Sequence, residues 1–194
     1  MVATMMGHLV VASSPTLWYV TRTAAVAGYL ALAVSVALGL LRTLARRTNE
    51  RLSWTVDEAH QFLSILAVIL IGVHLISLVF DDFQPFAWIN LLVPLNEPYR
   101  PLATNIGVFA FYGLVAVSLS SWIKRAIPYN LWHLIHYLGI VTFALVTVHG
   151  WMTGSDTNEP FMRAIYGASA GAVALIFALR LFASPRATGA TAVR

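Results

Sequence analysis

Five predominantly apolar stretches alternate with polar, charged or proline-containing connections along this chain, at about residues 17–41, 57–80, 105–123, 130–153 and 161–183. A helix of roughly 20 residues crosses a hydrocarbon core of about 30 Å, so each stretch is long enough to span a bilayer. The pattern predicts an all-α integral membrane protein, a bundle of five transmembrane helices. Trp18, Tyr19, Trp54, Trp88, Trp122, Tyr129, Trp132 and Trp151 fall near the ends of these stretches, where an aromatic ring keeps its polar edge wet.

The charges orient the bundle. Arg42, Arg46, Arg47 and Arg51 follow the first stretch, Lys124 and Arg125 follow the third, and Arg186 and Arg194 lie in the tail. By the positive-inside rule these are cytoplasmic, which puts the N-terminus outside and the C-terminus in the cytoplasm. The alternate connections carry Asp81, Asp82, Glu97, Asp156 and Glu159 against Arg100 and Arg163, as expected of the outer side. Residues 1–16 lack the positive n-region and cleavage pattern of a secretory signal and read as an outer N-terminal tail. His8 lies in it and receives no role. Residues 17–183 form the membrane domain, and residues 184–194, small and polar, a cytoplasmic tail. The longest connection, Asp81 to Thr104, holds Pro85, Pro94, Pro98 and Pro101 around the apolar run Phe86 to Leu95. Too short to span, that run is expected to lie along the outer interface or cap the bundle.

Composition narrows the class. Hydrophobic residues make up 59% of the 194 and charged residues 10%, far from the balance of a soluble domain. The pI near 9.8 raises nucleic acid as a partner, but the cations sit at helix ends with no aromatic binding platform among them, so membrane topology accounts for them and no nucleic acid is expected. The absence of cysteine removes disulfides, iron–sulfur clusters and covalent haem attachment through C-x-x-C-H.

Histidine is expensive in hydrocarbon, and an intramembrane ionisable residue is a functional candidate. His60 and His74 lie fourteen residues apart in the second stretch, His136 and His149 thirteen apart in the fourth. Both stretches run from inside to outside, so the pairs match by depth, with the two levels roughly 20 Å apart at about 1.5 Å per residue. Two haems held without covalent attachment fit this pattern, one between His60 and His136 at the inner level and one between His74 and His149 at the outer. With both axial positions filled by imidazole, no open site remains for oxygen, and the chemistry is electron transfer. Fourteen residues return a side chain to within roughly 40° of its starting face, whereas thirteen leave it about 140° away. Either the haems are staggered around the fourth helix or a bend near Gly139 corrects the azimuth. His133, three residues before His136, reads as an interfacial residue and not as an axial ligand. Phe143, between the ligands of the fourth stretch, reads as core, with a bridging place between haems as the alternative. Gly167 and Gly171 mark a small-residue face for helix packing.

The segments YVTRTAAVAGYLALAVSVALGLL, HQFLSILAVILIGVH, LLVPLNEPYRPLAT and WHLIHYLGIVTFALVTVHGWMTGSDT resemble bacterial ferric reductase-like transmembrane proteins over about residues 17–183. This is the haem-carrying core shared with eukaryotic ferric reductases, NADPH oxidases and, more distantly, the haem-binding membrane subunit of the periplasmic methionine sulfoxide reductase system. The resemblance implies two haem b groups on His60, His74, His136 and His149, and a multi-pass protein of the bacterial inner membrane, in contact with lipid. Some relatives continue into a cytoplasmic FAD- and NADPH-binding domain. Here no G-x-G-x-x-G follows a strand, so neither FAD nor NADPH is expected within this chain, whose role would be that of an oxidoreductase component. The expected donor is a cytoplasmic flavoprotein, a small redox carrier or a membrane quinol, and the acceptor ferric iron or a periplasmic reductase. Arg46, Arg47, Arg51, Lys124 and Arg125 are candidates for docking an acidic carrier. Arg22, near the outer end of the first span, calls for an anion, and an outer haem propionate is the expected one, with Arg100 and Arg163 as weaker candidates. Two alternatives stay open: a quinol-linked, single-haem anchor of a periplasmic reductase, and a non-redox transporter or scaffold.

Overall fold

The computed structural model describes residues 16–81, 86–94 and 100–182, without the side chains of residues 43, 44 and 46–48. The expected tails with His8, Arg186 and Arg194, the loop positions Asp82, Pro85, Glu97 and Pro98, and the side chains of Arg46 and Arg47 lie outside the described residues. Among the described residues there are six helices: α1 (Thr16–Thr48), α2 (Glu50–Val79), α3 (Trp88–Leu92), α4 (Pro101–Trp122), α5 (Tyr129–Thr153) and α6 (Pro160–Phe182). All but α3 are long and apolar enough to cross a membrane. The fold is therefore an all-α, five-span bundle, as its apolar pattern predicts.

The helices differ from the apolar stretches mainly at their ends. Apolarity marks only what lies in hydrocarbon, whereas a helix continues until its backbone is capped. α2 thus starts at Glu50, well before residue 57, where the Asn49 side chain accepts from the Leu52 N–H at 2.7 Å and satisfies one of the first-turn donors. Beyond these added turns, Asp57 forms an ion pair with Arg42 of α1. In the long connection, α3 packs on α4 through buried Leu91, and Tyr112 of α4 donates to the Leu92 carbonyl. The described part of this run thus lies against α4.

Cross-helix contacts fix the directions. Ser35 meets His60 and Thr21 meets His74, so α1 and α2 are antiparallel. Ala103 meets His149 and Ser121 meets His136, so α4 and α5 are antiparallel as well. These two hairpins dominate the packing, with α6 against α1 and α5. α1 is the best buried span, and its Ala24, Ala31, Ala33 and Ser35 are small enough for close neighbours. α2 shows the opposite character: Phe62, Ile65, Ile69, Val73 and Ile76 form an exposed apolar stripe that suits lipid, while Ala67 on the other face is fully buried. α2 and α5, which carry the four paired histidines, make almost no close backbone approach to each other. The gap between these two backbones is spanned by side chains.

Candidate functional site

Long side chains bridge that gap at two levels. At the first, near the end of the bundle that carries Arg42, Arg51, Lys124, Arg125 and Arg180, the rings of His60 and His136 have centroids 6.0 Å apart and planes at 79°. At the second, His74 and His149 lie within electrostatic range of each other. Each paired histidine of α2 thus lies near one of α5, although thirteen residues separate His136 from His149 along one uninterrupted helix.

Each of the four rings is tied by Nδ1 to the neighbouring helix. His60 Nδ1 donates to the Ser35 carbonyl at 2.8 Å, His74 Nδ1 to the Thr21 carbonyl at 3.1 Å and His149 Nδ1 to the Ala103 carbonyl at 2.8 Å. A carbonyl only accepts, so the proton of these neutral imidazoles sits on Nδ1 and the Nε2 lone pair is left for a ligand. His136 reaches the same tautomer differently: Ser121 Oγ spends its proton on the Val117 carbonyl at 2.8 Å and accepts from His136 Nδ1 at 3.4 Å. Anchoring the non-ligating nitrogen in this way fixes ring orientation and raises basicity at metal-binding histidines. His133 has no such anchor among the described residues; its ring stacks on Tyr129 at 5.4 Å and meets Tyr137 edge-on at 4.6 Å.

Two glycines make room for these rings. A Cβ at Gly107 of α4 would come within 2.6 Å of His149 Nδ1 and Cε1, and one at Gly39 of α1 within 3.1 Å of His60 Cε1. Neither glycine, nor the acceptors on Ser35, Thr21, Ala103 and Ser121, figures in the sequence reading, because a second lone pair on a helical carbonyl belongs to any residue type.

The first level opens on a cavity of about 610 Å³ whose walls include Ser35, Gly39, Ser64, Gly139 and both histidines. The volume lies within the usual range of cofactor sites, about 300–1,000 Å³. Between the levels, Tyr29 of α1 stacks on Phe143 of α5 at 5.8 Å, both nearly fully buried, and Tyr29 also meets Tyr166 at 5.0 Å. Phe143 therefore belongs to the core cluster.

The cations behave less uniformly than their sequence positions suggest. Arg22 pairs with Asp156, in the connection between α5 and α6, and lies over the Trp18 ring. The anion that this guanidinium calls for is thus a carboxylate of the chain itself, and a haem propionate is not needed to satisfy it. Arg100, with left-handed backbone at φ 42°, donates to the Met152 carbonyl at the end of α5, and Arg163 donates to Asn158 and Thr157. Arg51, Lys124 and Arg125 are exposed at the opposite end.

Among the described residues no three His, Asp or Glu side chains converge, so histidine pairs are what this bundle offers a metal. A porphyrin supplies four of the six iron ligands itself and needs only such a pair. Two metal–nitrogen bonds of about 2 Å plus the half-width of each ring place facing imidazole centroids roughly 6 Å apart, the separation found for His60 and His136. The residues of the first level fit the group.

No curated protein and no solved structure matches the chain. A family model, ferric reductase like transmembrane component, matches residues 23–148, more than half of the sequence, and takes in His60, His74 and His136 while ending one residue before His149. The chain is a multi-pass membrane protein that belongs to the ferric reductase-like transmembrane component family.

Proposed function

We propose that this protein is a transmembrane b-type cytochrome that carries electrons across the membrane through two bis-histidine haems, from a separate donor on the cytoplasmic side to an acceptor outside. The observation that carries the reading is the shared anchoring of four intramembrane histidines, each with Nδ1 turned to a neighbouring helix and Nε2 left as a lone pair at one of two matched depths. Core histidines that merely satisfied a polar group would have no reason to share a tautomer. Haem b bound at each level supplies a one-electron couple. The chain's own contribution is to hold the rings through α1 and α4 and set the levels roughly 20 Å apart along the helices. The basic end is the cytoplasmic end by the positive-inside rule, which makes the His60 and His136 level the entry side. The setting is the inner membrane of a bacterium, and ferric iron or a periplasmic reductase is the acceptor class.

The test uses purified protein in lipid vesicles with ferricyanide trapped inside and dithionite added outside. Ferricyanide should be reduced at a rate set by the protein, and His74→Ala should abolish this. Reduction that persists in His74→Ala, or none with the unaltered protein, would contradict transmembrane transfer through two levels. NADPH alone should leave the purified protein oxidised.

A further inference from the structure

The cavity of the first level has a lopsided chemistry. Arg42, Lys124 and Arg180 line it, and no Asp or Glu does. Asp57 engages Arg42, and Arg180 donates to Tyr137 Oη at 3.3 Å, but Lys124 has no carboxylate partner among the described residues. Such a wall suits an apolar ligand that carries an anion. Beside these cations stands Trp132, in the first turn of α5. Its Nε1 is buried with no hydrogen-bond partner among the described residues. Buried donors are almost always paired, so this one points to an acceptor supplied by whatever fills the cavity.

The indole has a second contact. It stacks on the His136 ring with centroids 5.0 Å apart and planes at 26°. His136 is the most loosely anchored of the four histidines, tied to a hydroxyl at 3.4 Å where the others reach carbonyls at 2.8 to 3.1 Å. No aromatic ring stacks on His74 or His149 among the described residues, and there both anchors are carbonyls. The stack thus restrains the ring whose hydrogen bond restrains it least.

We propose that Trp132 binds and positions the cofactor of the first level, its indole N–H donating to a carboxylate of the bound porphyrin while its ring plane holds the His136 imidazole crosswise to His60. The inference rests on the haem reading above and adds to it a residue that sequence position alone marks only as an interfacial aromatic.

The test isolates the first level in His74→Ala protein purified without haem and titrated separately with iron protoporphyrin IX and with its dimethyl ester, which has no carboxylates. Trp132→Phe keeps a stacking ring and loses the N–H. It should weaken protoporphyrin binding about tenfold, as expected for a lost hydrogen bond to a charged group, and leave binding of the ester unchanged. Trp132→Ala loses the ring as well. Crosswise axial imidazoles give a strongly anisotropic low-spin electron paramagnetic resonance signal, so the large gmax should persist in Trp132→Phe and fall toward a rhombic spectrum in Trp132→Ala. Equal weakening for both porphyrins, no weakening for either, or the same gmax in all three proteins would overturn the proposal. If neither porphyrin binds while Trp132 is intact, the haem reading itself fails and takes this proposal with it.

Discussion

The two histidine levels are built from the same parts and finished differently. At the second, both rings are held by backbone carbonyls and Gly107 leaves His149 almost no free space. At the first, one anchor is a serine hydroxyl, aromatic rings crowd the helix end, and the histidines open on a cation-lined cavity. A carbonyl in a helix is as rigid as the backbone, whereas a hydroxyl and an indole are side chains with rotamers of their own. The contrast separates a tightly templated level from a more adaptable one that opens on a cavity, as would suit the proposed electron conduit if one of its ends exchanges with a partner.

The two levels should differ most in their response to loss of a ligand. His74→Ala or His149→Ala should remove the haem of the second level and leave most of the first, with the reverse for His60→Ala and His136→Ala, read as haem per chain in the purified variants. Retention of both haems in every variant would show that the depth pairing does not reflect ligation.

Glycine substitutions sharpen the contrast between the levels. In Gly107→Ala the new Cβ meets the His149 ring at a distance that cannot be held, and the ring is pinned by the Ala103 carbonyl, so it must abandon its anchor. Haem affinity at the second level should fall by about 10–100-fold, the range for disturbed outer-shell partners of metal ligands. Gly39→Ala brings its Cβ to 3.1 Å from His60, a clash relieved by a few tenths of an ångström, so its effect should be much smaller. Equal losses in haem titrations of the two variants would remove the distinction between a tight and an adaptable level.

A smaller effect is expected at Asp156. The pair with Arg22 ties α1 to the connection between α5 and α6, but both side chains remain about a third exposed. Asp156→Asn should cost about 1 kcal/mol or less in unfolding experiments and leave both haem spectra in place. Loss of the second-level haem in this variant would mean that Arg22 does serve the cofactor. Smallest of all should be His133→Ala, since that ring packs on Tyr129 and Tyr137 and has no Nδ1 anchor among the described residues. Its low-spin spectrum should match that of the unaltered protein.

The span count, the helix order and the four paired histidines were legible because they depend on residue type: apolar length, cation placement and imidazole have no substitutes in hydrocarbon. What supports the histidines was not. Thr21 and Ser35 lie in α1, more than twenty residues from the rings they hold, and contribute backbone atoms that carry no sequence signature. Arg22 illustrates the same limit in reverse, since its need for an anion was readable but Asp156 is 134 positions away and becomes its neighbour only once α1 meets the α5–α6 connection. The early start of α2 at Glu50 escaped because apolar pattern reports the bilayer and not the helix.

The haem content of the purified protein, measured as the ratio of haem b to polypeptide and accompanied by electron paramagnetic resonance of the oxidised sample, tests the two-pair ligation most directly. Two haems per chain, both low-spin and without a high-spin signal, are predicted. One haem per chain, none, or a high-spin iron with an open axial position would contradict the assignment of His60, His136, His74 and His149 as two complete pairs of axial ligands.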